Sequence, residues 1–96
     1  MDLQFEWDEA KAETNVSKHG VNFYEAQTVF LDPLARIFDD ELHSTSELRE
    51  IIIGHSGDDH LLLVYFTERD PGVVRIISAR RATRRERNDY EENRYH

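Results

Sequence analysis

Two turns of three residues each limit what this 96-residue chain can become. Gly57-Asp58-Asp59 and Asp70-Pro71-Gly72 separate runs rich in Val, Ile, Leu and Phe, near Leu48 to Gly54, Leu61 to Thr67 and Val73 to Ala79. Such runs between Gly, Pro and Asp predict strands. A parallel crossover needs about a dozen residues, so these turns can only join antiparallel neighbours, and a meander follows. A fourth run, Leu34 to Phe38, stops at Asp39-Asp40-Glu41 and completes a four-stranded antiparallel sheet. Leu3 to Trp7 alternates apolar and acidic residues and could add a short edge strand.

The first part of the chain reads differently. Asp8 is placed to cap a helix over Asp8 to His19, with Gly20 at the left-handed stop. Asn22 and Glu25 have the form of a capping box, and Phe23, Ala26, Val29 and Phe30 share one face of a second helix over Phe23 to Leu31, which Pro33 terminates. Thr83 and Glu86 form another box, opening an Arg-rich helix from Arg84 to about Asn93 with almost no apolar face and no evident hold on a core. The order predicts an α+β fold: two N-terminal helices packed on a four-stranded antiparallel sheet, followed by the Arg-rich helix. The helices would cover one face and leave the other free for a ligand or partner.

Length allows one domain, residues 1–96, with a small core. The absence of Cys excludes disulfides, thiolate zinc sites and Cys nucleophiles. Apolar runs are too short to span a membrane and Met1-Asp2 opens no signal region, so a soluble cytoplasmic chain without membrane association is expected. Charge is split: residues 73–96 carry seven Arg against four acids, whereas the first 72 positions hold five basic and sixteen acidic groups. An acidic body repels phosphate, so this polarity suits a charged partner better than bulk nucleic-acid binding.

Several segments are more specific than their periodicity. They are Phe5-Glu6-Trp7-Asp8, Asn15, Lys18-His19-Gly20-Val21, Phe23, Glu25-Ala26, Phe30-Leu31-Asp32-Pro33-Leu34, His43-Ser44, Thr67-Glu68-Arg69 and Arg75-Ile76-Ile77-Ser78-Ala79-Arg80-Arg81-Ala82-Thr83. In this order the set closely resembles the BrnT toxins of type II toxin-antitoxin systems, over about residues 3–92. The resemblance implies a compact ribonuclease related in fold to the RelE toxins. It further implies a cognate BrnA-type antitoxin that neutralises the toxin in a dimer or higher hetero-oligomer and alone contacts operator DNA. One departure is His55, which stands where the family pattern has Arg and would leave a phosphate contact that depends on pH.

Metal-free RNA cleavage needs a base for the ribose 2'-hydroxyl, cations for the phosphorane and an acid for the 5'-oxygen. Strand parity puts Arg75 and Arg80 on opposite faces, so only one of them would be central. Arg80 is favoured because it sits at the strand-to-helix corner near the amides around Thr83; it would equally serve as an ion-pair partner of Glu68 or Asp32. Glu68 and His43 are candidates for proton transfer, against plain readings as a turn residue and a loop histidine. Lys18 and His19 close the first helix, where the helix dipole alone explains them. With Arg75 and Arg81 they are candidate RNA contacts, as is Trp7, whose ring could stack on a base or anchor the core. Arg84, Arg85 and Arg87 are candidate partner-binding residues, because on a wet helix they would add little stability.

His43, His55 and His60 lack metal-ligand spacing, and no cofactor is expected. His96 is expected to be a disordered terminus or a processing remnant. Two functions follow: an endoribonuclease toxin, or a catalytically weak binding module that completes a DNA-binding repressor complex with the antitoxin. A stand-alone DNA-binding domain is disfavoured, because no helix pairs an apolar docking face with exposed base-reading residues.

Overall fold

The computed structural model describes residues 2–92; the expected helix end at Asn93 and the terminal His96 lie outside the described residues. The chain runs β1 (Gln4–Glu6), α1 (Glu9–His19), α2 (Phe23–Thr28), a 3-10 turn (Val29–Leu31), β2 (Arg36–Asp39), β3 (Glu50–His55), β4 (Leu61–Asp70), β5 (Val73–Arg81) and α3 (Arg84–Glu91). The strands form one sheet in the order β1-β5-β4-β3-β2. Strands β2 to β5 pair antiparallel as the short turns require, but β1 joins β5 in parallel, making the sheet five-stranded and mixed rather than four-stranded and antiparallel. The helices and strands β2 to β4, which lie between β1 and β5 in the chain, supply the long connection that a parallel pair needs.

Local signals explain the elements. The Asp8 side chain accepts from the Lys11 N–H, and Gly20 closes α1 at φ 70°. Asn22 caps α2 by accepting from Glu25 N–H at 2.7 Å, but the Glu25 carboxylate reaches the β3–β4 turn, so only half of that box forms. The last turn of the expected second helix tightens to 3-10 before Pro33. At Thr83 and Glu86 both halves of the capping box are present.

Both sheet faces carry a buried apolar cluster. On one, α1 and α2 enclose Phe23, Ala26, Val29, Ile52, Leu62, Val64, Phe66, Val74, Ile76 and Ala79. There the segment from the 3-10 turn to Ala35 lies so close to β3 that a Cβ at Gly54 would stand 2.8 Å from Ala35 Cβ and 3.2 Å from Val29 Cγ1. On the other face Ile51, Ile53, Leu61 and Leu63 form a smaller cluster beneath Phe38, Ala82 and Tyr90. The Tyr90 hydroxyl donates to Leu34 C=O at 3.1 Å, so α3 is held by the core, against the expectation. It covers one half of the face expected to be free. Glu86 binds it further, meeting Arg80 through two 2.8 Å hydrogen bonds.

Beyond β1, which pairs only with residues 73–75, the edge of β5 meets a side chain instead of a strand. Asn15, 4% exposed, donates to Ala79 C=O at 2.8 Å and accepts from Ala79 N–H at 3.1 Å, and it also donates to Val21 C=O at 2.8 Å. Three buried backbone groups are thereby satisfied by one amide.

Asn15→Ala strands those groups and is expected to cost about 3 kcal/mol in urea unfolding. The Arg80 guanidinium, foremost, holds the Glu86 carboxyl down to about 2 from an ordinary 4.5. The stability from this pair is therefore complete above about pH 4.5 and lost as pH falls towards 2. Acid titration followed by circular dichroism should show that loss in the wild type and not in Glu86→Gln.

Candidate active site

A register shift in β5 decides what the uncovered half of the second face presents. Opposite β4, Ser78 pairs with Tyr65 and Ile76 with Phe66, leaving Ile77 as an extra residue. Ile76 and Ala79 are both buried beneath the N-terminal helices, while Arg75, Ile77, Ser78 and Arg80 face the other way. The two arginines expected on opposite faces thus share one. Strict alternation failed because one inserted residue flips every side chain beyond it.

Around Arg80 lies a hollow of about 330 Å³ whose walls include His19, Asp40, His43, Arg49, Tyr65 and Ser78. Each element contributes for a local reason. Asn15 fixes α1 against β5, which brings His19 at the helix end to the rim. The 40–49 loop is folded onto itself by Ser44, whose hydroxyl donates to Asp40 C=O at 2.9 Å and accepts from Arg49 N–H at 3.0 Å. The Thr67 hydroxyl ties that loop to β4 by donating to Leu48 C=O at 2.8 Å.

Asp40 is 5% exposed, and its carboxylate oxygens lie 3.0 and 3.1 Å from His43 Nδ1. A carboxylate only accepts, so the Nδ1 proton faces Asp40 and the neutral ring keeps its lone pair at Nε2. Arg80 is more constrained. Its Nη1 and Nη2 bind Glu86, Nη2 also donates to the Tyr65 hydroxyl at 3.3 Å, and Glu86 above all raises its pKa. The fork that would grip a phosphate is occupied by a carboxylate, and neither Glu68 nor Asp32 is the partner. Arg49, which sequence reasoning did not single out, lines the same hollow without an ion pair among the described residues. Its only signal was a lone cation in an acidic stretch.

The hollow continues both ways. One arm, about 260 Å³, runs along Lys11, Lys18 and His19; the other, about 360 Å³, passes Arg49, Arg75 and Arg69. Other expected residues lie elsewhere. Glu68 accepts from Gly72 N–H at 2.8 Å and caps the β4–β5 turn, near Glu50, whose pKa burial raises with help from Asp39 and Glu68. Trp7 packs edge-to-face on Phe23 and Tyr24 among the helices, so it is a core anchor. Arg84, Arg85 and Arg87 are exposed on α3. His55 donates its N–H to Asp32 at 2.8 Å and sets its ring against Tyr90, away from the hollow.

Arg81 points to the helix-covered side, where its Nη2 lies 3.1 Å from His60 Nε2. His60 Nδ1 in turn lies 2.7 Å from Glu25, which also accepts from Ser56 at 2.7 Å. Burial pushes the Glu25 carboxyl up, but those hydrogen bonds and the charges of His60 and Arg81 outweigh it and bring it below its usual value. Ligand atoms of Glu25, Asp58 and His60 lie within 4.8 Å of one another, a spacing a metal ion could use. The guanidinium against His60 opposes a cation there.

A family model described as the ribonuclease toxin BrnT of type II toxin-antitoxin systems matches residues 7–86. The 1.1 Å crystal structure of the Brucella abortus ribonuclease toxin BrnT superimposes with a TM-score of 0.66 at 25% identity, covering 85% of this chain and 99% of that one. Among curated proteins none matches. Among the described residues no helix is long and apolar enough to cross a membrane. The chain belongs to the BrnT family of ribonuclease toxins of type II toxin-antitoxin systems.

Proposed function

We propose that this protein is a metal-independent endoribonuclease that inhibits translation and growth from the cytoplasm, and that its cleavage centre is the hollow between His43 and Arg80. The observation that carries this is the buried Asp40 beneath His43, in a cavity whose other charged lining residues are the cations Arg49 and Arg80. His43 Nε2 takes the proton of a ribose 2'-hydroxyl, and Asp40 stabilises the imidazolium that results. The 2'-oxygen attacks the adjacent phosphorus and forms the 2',3'-cyclic phosphate; His19 on the opposite element gives its proton to the departing 5'-oxygen. Arg49 and Arg80 balance the charge of the phosphorane. The carboxylate that lines this cavity, Asp40, is committed to His43, so the donor set suits proton transfer better than metal ligation.

Lys18 and Arg75 place the substrate on either side. Glu68, Arg81 and Trp7 have no part in this reading, since each is engaged elsewhere. The exposed Arg84, Arg85 and Arg87 are assigned to a BrnA-type antitoxin, through which operator DNA is reached in a hetero-oligomer. Kinship with the RelE toxins remains part of the same reading.

Incubation with end-labelled unstructured RNA in EDTA tests the proposal. Wild type should leave 2',3'-cyclic phosphate ends, and His43→Ala should lose at least about 100-fold in rate with its circular dichroism spectrum intact. A His43→Ala protein as fast as wild type refutes the assignment.

One observation favours the second reading, a weak enzyme that works as a binding module: Glu86 occupies the Arg80 fork. The two readings separate on Glu86→Gln. Release of Arg80 should raise cleavage several-fold if the toxin is active; a protein that binds antitoxin tightly and cuts nothing, with or without Glu86, supports the binding module.

A further inference from the structure

The arm of the groove beyond Arg49 has no step in the cleavage chemistry. Arg49 and Ile77 line both it and the histidine hollow, so the two form one surface. Arg75 and Arg69 reach the same Glu6 oxygen at 3.0 and 3.5 Å, two guanidiniums on one carboxylate. Lys11, projecting from α1, and Arg49 make no ion pair among the described residues. With Glu47, the arm holds four cations against two carboxylates.

That excess stands out in so acidic a body. Of the five Lys and Arg in the first 72 positions, Lys11, Lys18, Arg49 and Arg69 all line the groove, and only Arg36 lies elsewhere. Cations gathered on one surface within a repelling body mark a track for a polyanion. The extra residue at Ile77 extends the track, because it puts Arg75 and Arg80 on one face, opposite Thr67 and Leu63 and so about 13 Å apart at roughly 3.3 Å per strand residue. Among the described residues no aromatic side chain lines the arm, so it offers no platform for stacked bases.

Resting on the ribonuclease reading, we propose that this arm binds the backbone phosphates of single-stranded RNA next to the bond cut at His43, without reading its bases. Lys11, Arg49, Arg69 and Arg75 then select a strand that continues past the cleavage point. Cleavage is internal, and sequence preference arises at the histidine hollow rather than along the arm.

Binding of uncleavable 2'-O-methyl RNA to the full chain, measured by fluorescence anisotropy across strand length and salt, tests this. Wild-type affinity should climb with length from two to about ten nucleotides. Lys11→Ala/Arg69→Ala, two exposed positions whose loss spares the fold, should weaken long-strand binding roughly tenfold and flatten the salt slope by about 1.4, two phosphate contacts at about 0.7 each. A double variant with wild-type affinity and slope overturns the proposal. So does equal affinity for a duplex of the same length, or a variant that loses antitoxin while keeping RNA, which would give the arm to a protein partner. If wild type cuts no RNA in EDTA but the variant still loses length-dependent binding, the cleavage reading falls and the arm stands.

Discussion

The amide of Asn15 is the contact on which the rest of this molecule is arranged. A sheet edge leaves backbone groups that must be paired or wet, and β1 is too short to cover β5 as far as Ala79. One side chain completes that edge from within α1 and also binds the chain as it leaves the helix at Val21. Because the helix is docked by directed hydrogen bonds rather than by apolar contact alone, its rotation is set. Lys11, Lys18 and His19 consequently face the groove, while Ala12 and the Trp7 ring meet the core.

The groove follows from a second constraint, the balance of charge. In an acidic chain, cations are held where carboxylates are already committed: Asp40 to His43, Glu6 to Arg75 and Arg69, Glu86 to Arg80. In the proposed site each pairing orients a group that a phosphate would meet. Arg80 is the exception in degree, since its two-fold contact with Glu86 joins α3 to the floor of the groove and leaves less of it for a ligand. Stability of the C-terminal helix and readiness of the arginine are therefore opposed, and any partner that grips α3 acts on both.

Much of the fold was legible because its signals are local. The three-residue turns forced the meander, Asp8 and Gly20 bounded α1, and Thr83 with Glu86 opened α3. The candidate site was legible in part. Arg80, His43 and His19 do line one hollow, but Glu68 belongs to a turn, Trp7 to the core and Arg81 to the His60 cluster. Glu68 is of a type that suits proton transfer, and Arg81 and Trp7 of types that suit RNA, but their surroundings do not, and surroundings are set by contacts distant in sequence. Arg49 was passed over because neither periodicity nor a motif marks it.

From the sequence alone came the element types, the antiparallel pairing, the charge split and the family, all carried by residues close together or by ordered motifs. Only tertiary structure decided that β1 lies parallel to β5, that Tyr90 holds α3 on the second face, and that Ile77 brings Arg75 and Arg80 to one side. The reason is geometric. Strand parity propagates along the chain until a single unpaired residue reverses it, and where that residue falls depends on how β4 and β5 pack between two apolar clusters, which no local pattern records.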